Sequence, residues 1–94
     1  MPRPCRPMSA GKPIVFTHHA LVRMRERGAT RSEIHRAVPE GLPEQGREGR
    51  TLYRLEFDFL ADWAGKFYAK RQVVPVVVEE EHATVVITVY VFYY

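Results

Sequence analysis

Residues 51–59, TLYRLEFDF, decide how this 94-residue chain folds. Tyr53, Leu55, Phe57 and Phe59 alternate with Arg54, Glu56 and Asp58. An apolar side chain at every second position marks an extended strand with one face in a core and the other in water. Upstream the period is different. Ile34, Ala37 and Val38 recur at helical spacing, and so do Ala20, Leu21 and Met24. Downstream the extended pattern continues. Residues 66–80, KFYAKRQVVPVVVEE, read as a second long strand, and residues 84–92, TVVITVYVF, as a third, with EEHA at 80–83 as the hairpin loop. Pro75 has no amide donor, so its strand should be bulged there or lie at an edge. Helices first and strands afterwards predict an α+β domain: two N-terminal helices packed on one face of a curved antiparallel sheet of three to four strands.

The helix limits carry their own signals. The Thr17 hydroxyl can cap a helix running from His18 to Arg27, with Gly28 as its left-handed stop. Thr30 and Glu33 form a capping box at the start of a second helix, which Pro39 should end. Residues 39–50, PEGLPEQGREGR, read as a loop. LADWAG at 60–65 reads as a turn or a wider connection, and IVF at 14–16 as a short strand or an entry into the core. Residues 1–13 contain four prolines and read as a basic tail, leaving 14–94 as one domain. The single cysteine, Cys5, falls in that tail and can form no intramolecular disulfide. No apolar run is long enough to span a bilayer and the N-terminal residues have no signal-peptide core, so a cytoplasmic location without a membrane partner is expected.

Charge is unevenly distributed. Residues 1–31 hold seven of the fourteen Lys and Arg residues against one acidic residue, Glu26. A basic segment on a near-neutral body is the composition expected of a surface for an anionic polymer, nucleic acid first. The first helix concentrates it. His19, Arg23 and Arg27 follow one another at intervals of four residues, forming one row that borders the buried stripe. A guanidinium in such a half-sheltered place can grip phosphate, and an imidazole can exchange a proton near neutral pH. The alternative reading is a solvated arginine face with a structural histidine. Arg25 and Arg31 add cations nearby. Lys70 and Arg71, adjacent on a strand, must point to opposite faces, so one of them can join the helices. Tyr53 and Tyr90 are candidate stacking platforms for bases. The histidines show no metal-ligand spacing, and neither a metal nor another cofactor is expected.

The stretch FTHHALVRMRERGATRSEIHRAV at 16–38 resembles the opening of a small prokaryotic domain family of undefined function. Its pattern, H-A-x-x-R-M-x-x-R-G-[IAV]-[ST], is met by His19, Ala20, Arg23, Met24, Arg27, Gly28, Ala29 and Thr30. Ile87, Thr88, Val89 and Tyr90 match its closing strand, so the resemblance spans residues 16–92. That family is similar to the RelE/ParE and BrnT toxins and to colicin-D-like tRNA-cleaving domains. The resemblance implies a RelE/BrnT-like fold and metal-independent endoribonuclease chemistry, in which a 2′-hydroxyl attacks the adjacent phosphate of a tRNA or mRNA. His19 would be the acid or base and Arg23 and Arg27 the phosphate clamp; the strand residues themselves, not the resemblance, offer Lys70 or Arg71 as a further cation. From charge and strand position alone, Arg25, Arg31, Arg71, Tyr53 and Tyr90 are the residues expected to hold the RNA. An acidic antitoxin is then the implied partner. The other hypothesis is a non-catalytic module that binds nucleic acid or protein, with the aromatic YVFYY at 90–94 covered by a partner or by a homodimer.

Overall fold

The computed structural model describes residues 12–94. Along the chain it contains β1 (Ile14–Phe16), α1 (His18–Arg27), α2 (Arg31–Glu40), β2 (Leu42–Gln45), β3 (Arg50–Trp63), β4 (Lys66–Glu79) and β5 (Thr84–Tyr93). The strands form one five-stranded sheet in the order β1-β5-β4-β3-β2. Pairing is antiparallel except at one edge, where β1 runs parallel to β5 with Phe16 opposite Val86. This corrects the expected sheet of three to four antiparallel strands: it has five, and it is mixed. Both additional strands lie at the edges. β1 is IVF. β2 occupies part of the segment read as a loop and pairs with β3, Leu42 opposite Arg54. All four β2 residues are exposed, so no apolar alternation announced it. The expected tail falls largely on residues 1–11, including Cys5, outside the described residues. Lys12 and Pro13 already join the sheet: Lys12 pairs with Glu79 at 2.7 Å, and the Pro13 carbonyl accepts from the Thr84 amide. Among the described residues, no helix is long and apolar enough to cross a membrane.

Both helices end as their capping residues dictate. The Thr17 hydroxyl accepts from the Ala20 amide, and Gly28 closes α1 in the left-handed conformation (φ 85°). Thr30 and Glu33 satisfy each other's amides at the start of α2. Pro39 does not end α2 but lies inside its last turn, one residue before the terminus. So close to the end, the missing donor removes one hydrogen bond without breaking a helix interior.

The core lies between the helices and one face of the sheet. Ala20 and Met24 of α1 and Ile34 and Val38 of α2 pack with Val73 and Val77 of β4 and Val86 and Val89 of β5. Pro75 sits inside β4, the middle strand, and its nitrogen faces β3. The β3–β4 register runs from Leu52 opposite Val76 to Leu55 opposite Val73, with no pairing between them. The ladder thus opens where the donor is missing. A bulge follows on the other side, where Ile87 of β5 is the extra residue between Thr88 opposite Val76 and Val86 opposite Val77. The β3–β4 ribbon is closed by Ala64 (φ 54°) and Gly65 (φ 85°), a two-residue turn with both central φ positive, between Trp63 and Lys66. A second bulge, with Leu60 at φ 50°, coils this ribbon so that the Trp63 ring reaches Gly28 at the α1–α2 junction.

Candidate nucleic-acid interface

α1 runs alongside β5 beyond the point where β1 stops. Three hydrogen bonds dock it on the outer edge of that strand. The Thr17 amide donates to Val86 O, the Thr17 hydroxyl to Ile87 O at 3.3 Å, and Arg27 Nη1 to Val89 O at 2.8 Å. From Val89 the Arg27 guanidinium extends over the Tyr90 ring, 5.3 Å from its centroid. Arg27 and Tyr90, two candidates 63 residues apart in sequence, are therefore neighbours. Arg23 lies one turn earlier on the helix, where it pairs with Glu26 at 2.7 Å. His19 lies a turn earlier again and is exposed. Arg25 is exposed on the same helix. Arg31, at the start of α2, is also exposed and stacks over the Phe16 ring at 5.2 Å. Among the described residues, no carboxylate pairs with Arg25, Arg27 or Arg31.

The other candidates lie elsewhere. Lys70 projects from the sheet face opposite the helices. It is held by Asp58 at 3.0 Å and approached by Glu56 at 4.0 Å. The Asp58 hydrogen bond and charge, followed by the Glu56 charge, raise its pKa above the ordinary lysine value. Arg71 is the strand cation that joins the helices, and at 8% exposure it is buried. Its guanidinium forms an ion pair with Glu33 and donates to Gly28 O at 2.9 Å and Tyr93 Oη at 3.3 Å. The Phe59 ring covers it at 4.9 Å. Burial alone would push its pKa down; hydrogen bonds with Glu33 and Tyr93, with the charge of Glu33, leave it raised and the cation fixed. So placed, Arg71 ties β4 to the N-terminus of α2 and points away from solvent. Tyr53 packs against the core, and burial raises the pKa of its phenol. No group of three or more metal-ligating side chains occurs among the described residues.

Tyr93 is a hub that sequence reasoning missed. Its hydroxyl donates to Arg27 O at 2.5 Å and accepts from Arg71, while its ring stacks on Trp63 with centroids 5.0 Å apart. Strict alternation from Val89 and Val91 places Tyr93 on the helix side, the one signal that could have found it.

Distances decide what the α1 row can do. His19 and Arg27 are eight residues apart, or about 12 Å along the helix axis. Arg27 is tied to β5 and Arg23 to Glu26, so the three groups do not converge on one atom. They are spaced to meet successive anionic groups along an extended ligand. No family model, curated protein or solved structure matched the chain.

Proposed function

We propose that this protein binds single-stranded RNA along the outer rim of α1. The placement of Arg27 carries the reading: its charge has no carboxylate partner among the described residues, and Val89 O and the Tyr90 ring fix its position. A guanidinium with one of its five donors used by a carbonyl keeps the rest for phosphate oxygens. Arg23, one turn earlier in the same row, extends the basic track. Phosphate contacts of this kind hold a strand with little base preference and weaken as salt rises.

Fluorescence anisotropy with a labelled single-stranded RNA tests the reading. Arg23→Ala combined with Arg27→Ala should weaken binding by tenfold or more. The slope of log affinity against log salt should become shallower by about 0.7 for every phosphate no longer neutralised. Unchanged affinity would remove the interface.

Exposed His19, one turn from Arg23, favours a second reading in which bound RNA is cleaved without metal and His19 acts as acid or base. Products with 2′,3′-cyclic phosphate ends, absent with His19→Ala, are its signature. RNA that is bound but left intact by both proteins sustains the binding module and excludes the nuclease.

A further inference from the structure

The C-terminal half of β5 is an edge built to pair with itself. Lys70 and Tyr94 exchange both of their backbone hydrogen bonds, so Tyr94 directs its amide and carbonyl toward β4. The register is regular back to Tyr90, with Phe92 opposite Gln72 and Tyr90 opposite Val74. Alternation then turns the amide and carbonyl of Val91 and of Tyr93 outward, away from the sheet. β1 ends opposite Val86, and among the described residues Val89 O is the last backbone group of β5 that α1 hydrogen-bonds. On the sheet face opposite the helices, the same stretch carries Tyr90, Phe92 and Tyr94, exposed by 43%, 49% and 53%. An outward-facing row of backbone groups flanked by aromatic rings is a template for strand addition.

We infer that the occupant is a second copy of this chain, paired β5 to β5 in antiparallel fashion about a two-fold axis at Phe92. Two features of the strand select it. First, an axis at Phe92 sets Val91 opposite Tyr93 of the second copy. Both residues direct their backbone groups outward, so each pair exchanges both hydrogen bonds and symmetry repeats the exchange. Second, the same axis maps the aromatic triplet onto itself. Phe92 meets Phe92, and each Tyr90 meets Tyr94 of the other copy, giving a ladder of cross-strand aromatic pairs on one face. A foreign strand could use the backbone groups, but the palindromic order Tyr-x-Phe-x-Tyr is matched by this chain itself. The joined sheets would form one continuous sheet across the axis. The inference does not depend on RNA binding.

Sedimentation velocity without RNA, at micromolar concentration, should show a concentration-dependent dimer. Val91→Pro removes an outward-facing donor without touching the bonds to β4, and should weaken dimerisation about tenfold or more. Cross-linking tests the register. Phe92 faces its counterpart in a non-hydrogen-bonded pair, with Cα atoms about 4.5 Å apart, inside the disulfide range of about 4.4–6.8 Å. In a Cys5→Ser background, Phe92→Cys should oxidise to a covalent dimer far faster than Tyr90→Cys, with circular dichroism confirming that each variant is folded. A wild-type protein that remains monomeric overturns the inference. So does a dimer insensitive to Val91→Pro, or one that cross-links no faster at 92 than at 90.

Discussion

The hydroxyl of Tyr93 donates to the carbonyl of Arg27 at 2.5 Å, joining the last strand to the last residue of the first helix. It also accepts from Arg71, whose other partners are Gly28 O and Glu33. One phenol and one guanidinium thus hold α1, α2 and β5 against β4. Tyr93→Phe keeps the ring on Trp63 and removes only the hydroxyl. Chemical unfolding should show a loss of about 1–3 kcal/mol, because the Arg27 carbonyl and Arg71 each lose a partner in a part-buried place. Glu33→Ala should cost more, about 3–5 kcal/mol, since it leaves a buried cation unpaired and also breaks the capping box. Equal, small effects would show that the cluster is not a joint.

Gly28 is the tightest point of that joint. Its φ is +85°, and a Cβ there would lie 2.7 Å from Tyr93 Oη and 2.9 Å from the Trp63 ring. Gly28→Ala combines left-handed strain with overpacking, and should destabilise by about 2–4 kcal/mol. Gly65 also has φ +85° but nothing within 4 Å of an added Cβ, so Gly65→Ala should show the conformational cost alone. Thermal melts of the two variants side by side separate the two effects, and similar losses would remove the packing contribution.

Tyr53 sets a limit on the alkaline side. Burial, followed by the charge of Glu79, raises its folded pKa above the ordinary 10.0, while nearby Lys12 opposes the shift. A raised folded value means that the unfolded chain gives up its proton first. Stability from this group is therefore complete below the unfolded value of about 10 and lost as pH rises through the folded one. Stability measured against pH should fall above pH 10 in the wild type and less steeply in Tyr53→Phe. Parallel curves would assign the alkaline loss to other groups, Tyr94 among them, whose phenol is raised by its hydrogen bond to Glu56.

Lys70 provides a control for the proposed RNA track. It lies on the face away from the helices, neutralised by Asp58 and Glu56. Lys70→Ala should change RNA affinity by less than about twofold, whereas removing a phosphate-binding arginine should weaken affinity most at low salt, with the difference shrinking as salt rises. A large effect at Lys70 would move the binding surface to the other side of the sheet.

How much of this could be read from the chain varies with the kind of signal. Thr17, Gly28 and the Thr30–Glu33 pair marked the helix ends because capping is local chemistry. β3 was legible from period-two apolarity, and β4 and β5 from their long β-branched and aromatic runs. β1 was readable only as three apolar residues, since its parallel partner lies 70 residues away in β5. β2 was hidden because an exposed edge strand containing Pro43 has no apolar face to display. At the candidate site, alternation placed Lys70 and Arg71 on opposite faces but could not say which faced inward. That choice depends on Glu33, which α2 brings from 38 residues upstream. The row of His19, Arg23 and Arg27 was visible from helical spacing. Its attachment to Tyr90 was not, because it requires knowing that β5 runs beside α1.

The Ala64–Gly65 turn has a bearing on the order in which the chain assembles. It joins two strands of 14 residues each through neighbours in sequence, and a hairpin of this kind closes in about 1–10 μs. The β1–β5 pairing closes the longest loop in the sheet and has only three residue pairs to offset that cost. During refolding, amides of β3 and β4 near the turn should gain protection from hydrogen exchange ahead of those at the β1 edge. The N-terminal strand then behaves as a late-fastening latch on a body that is already formed.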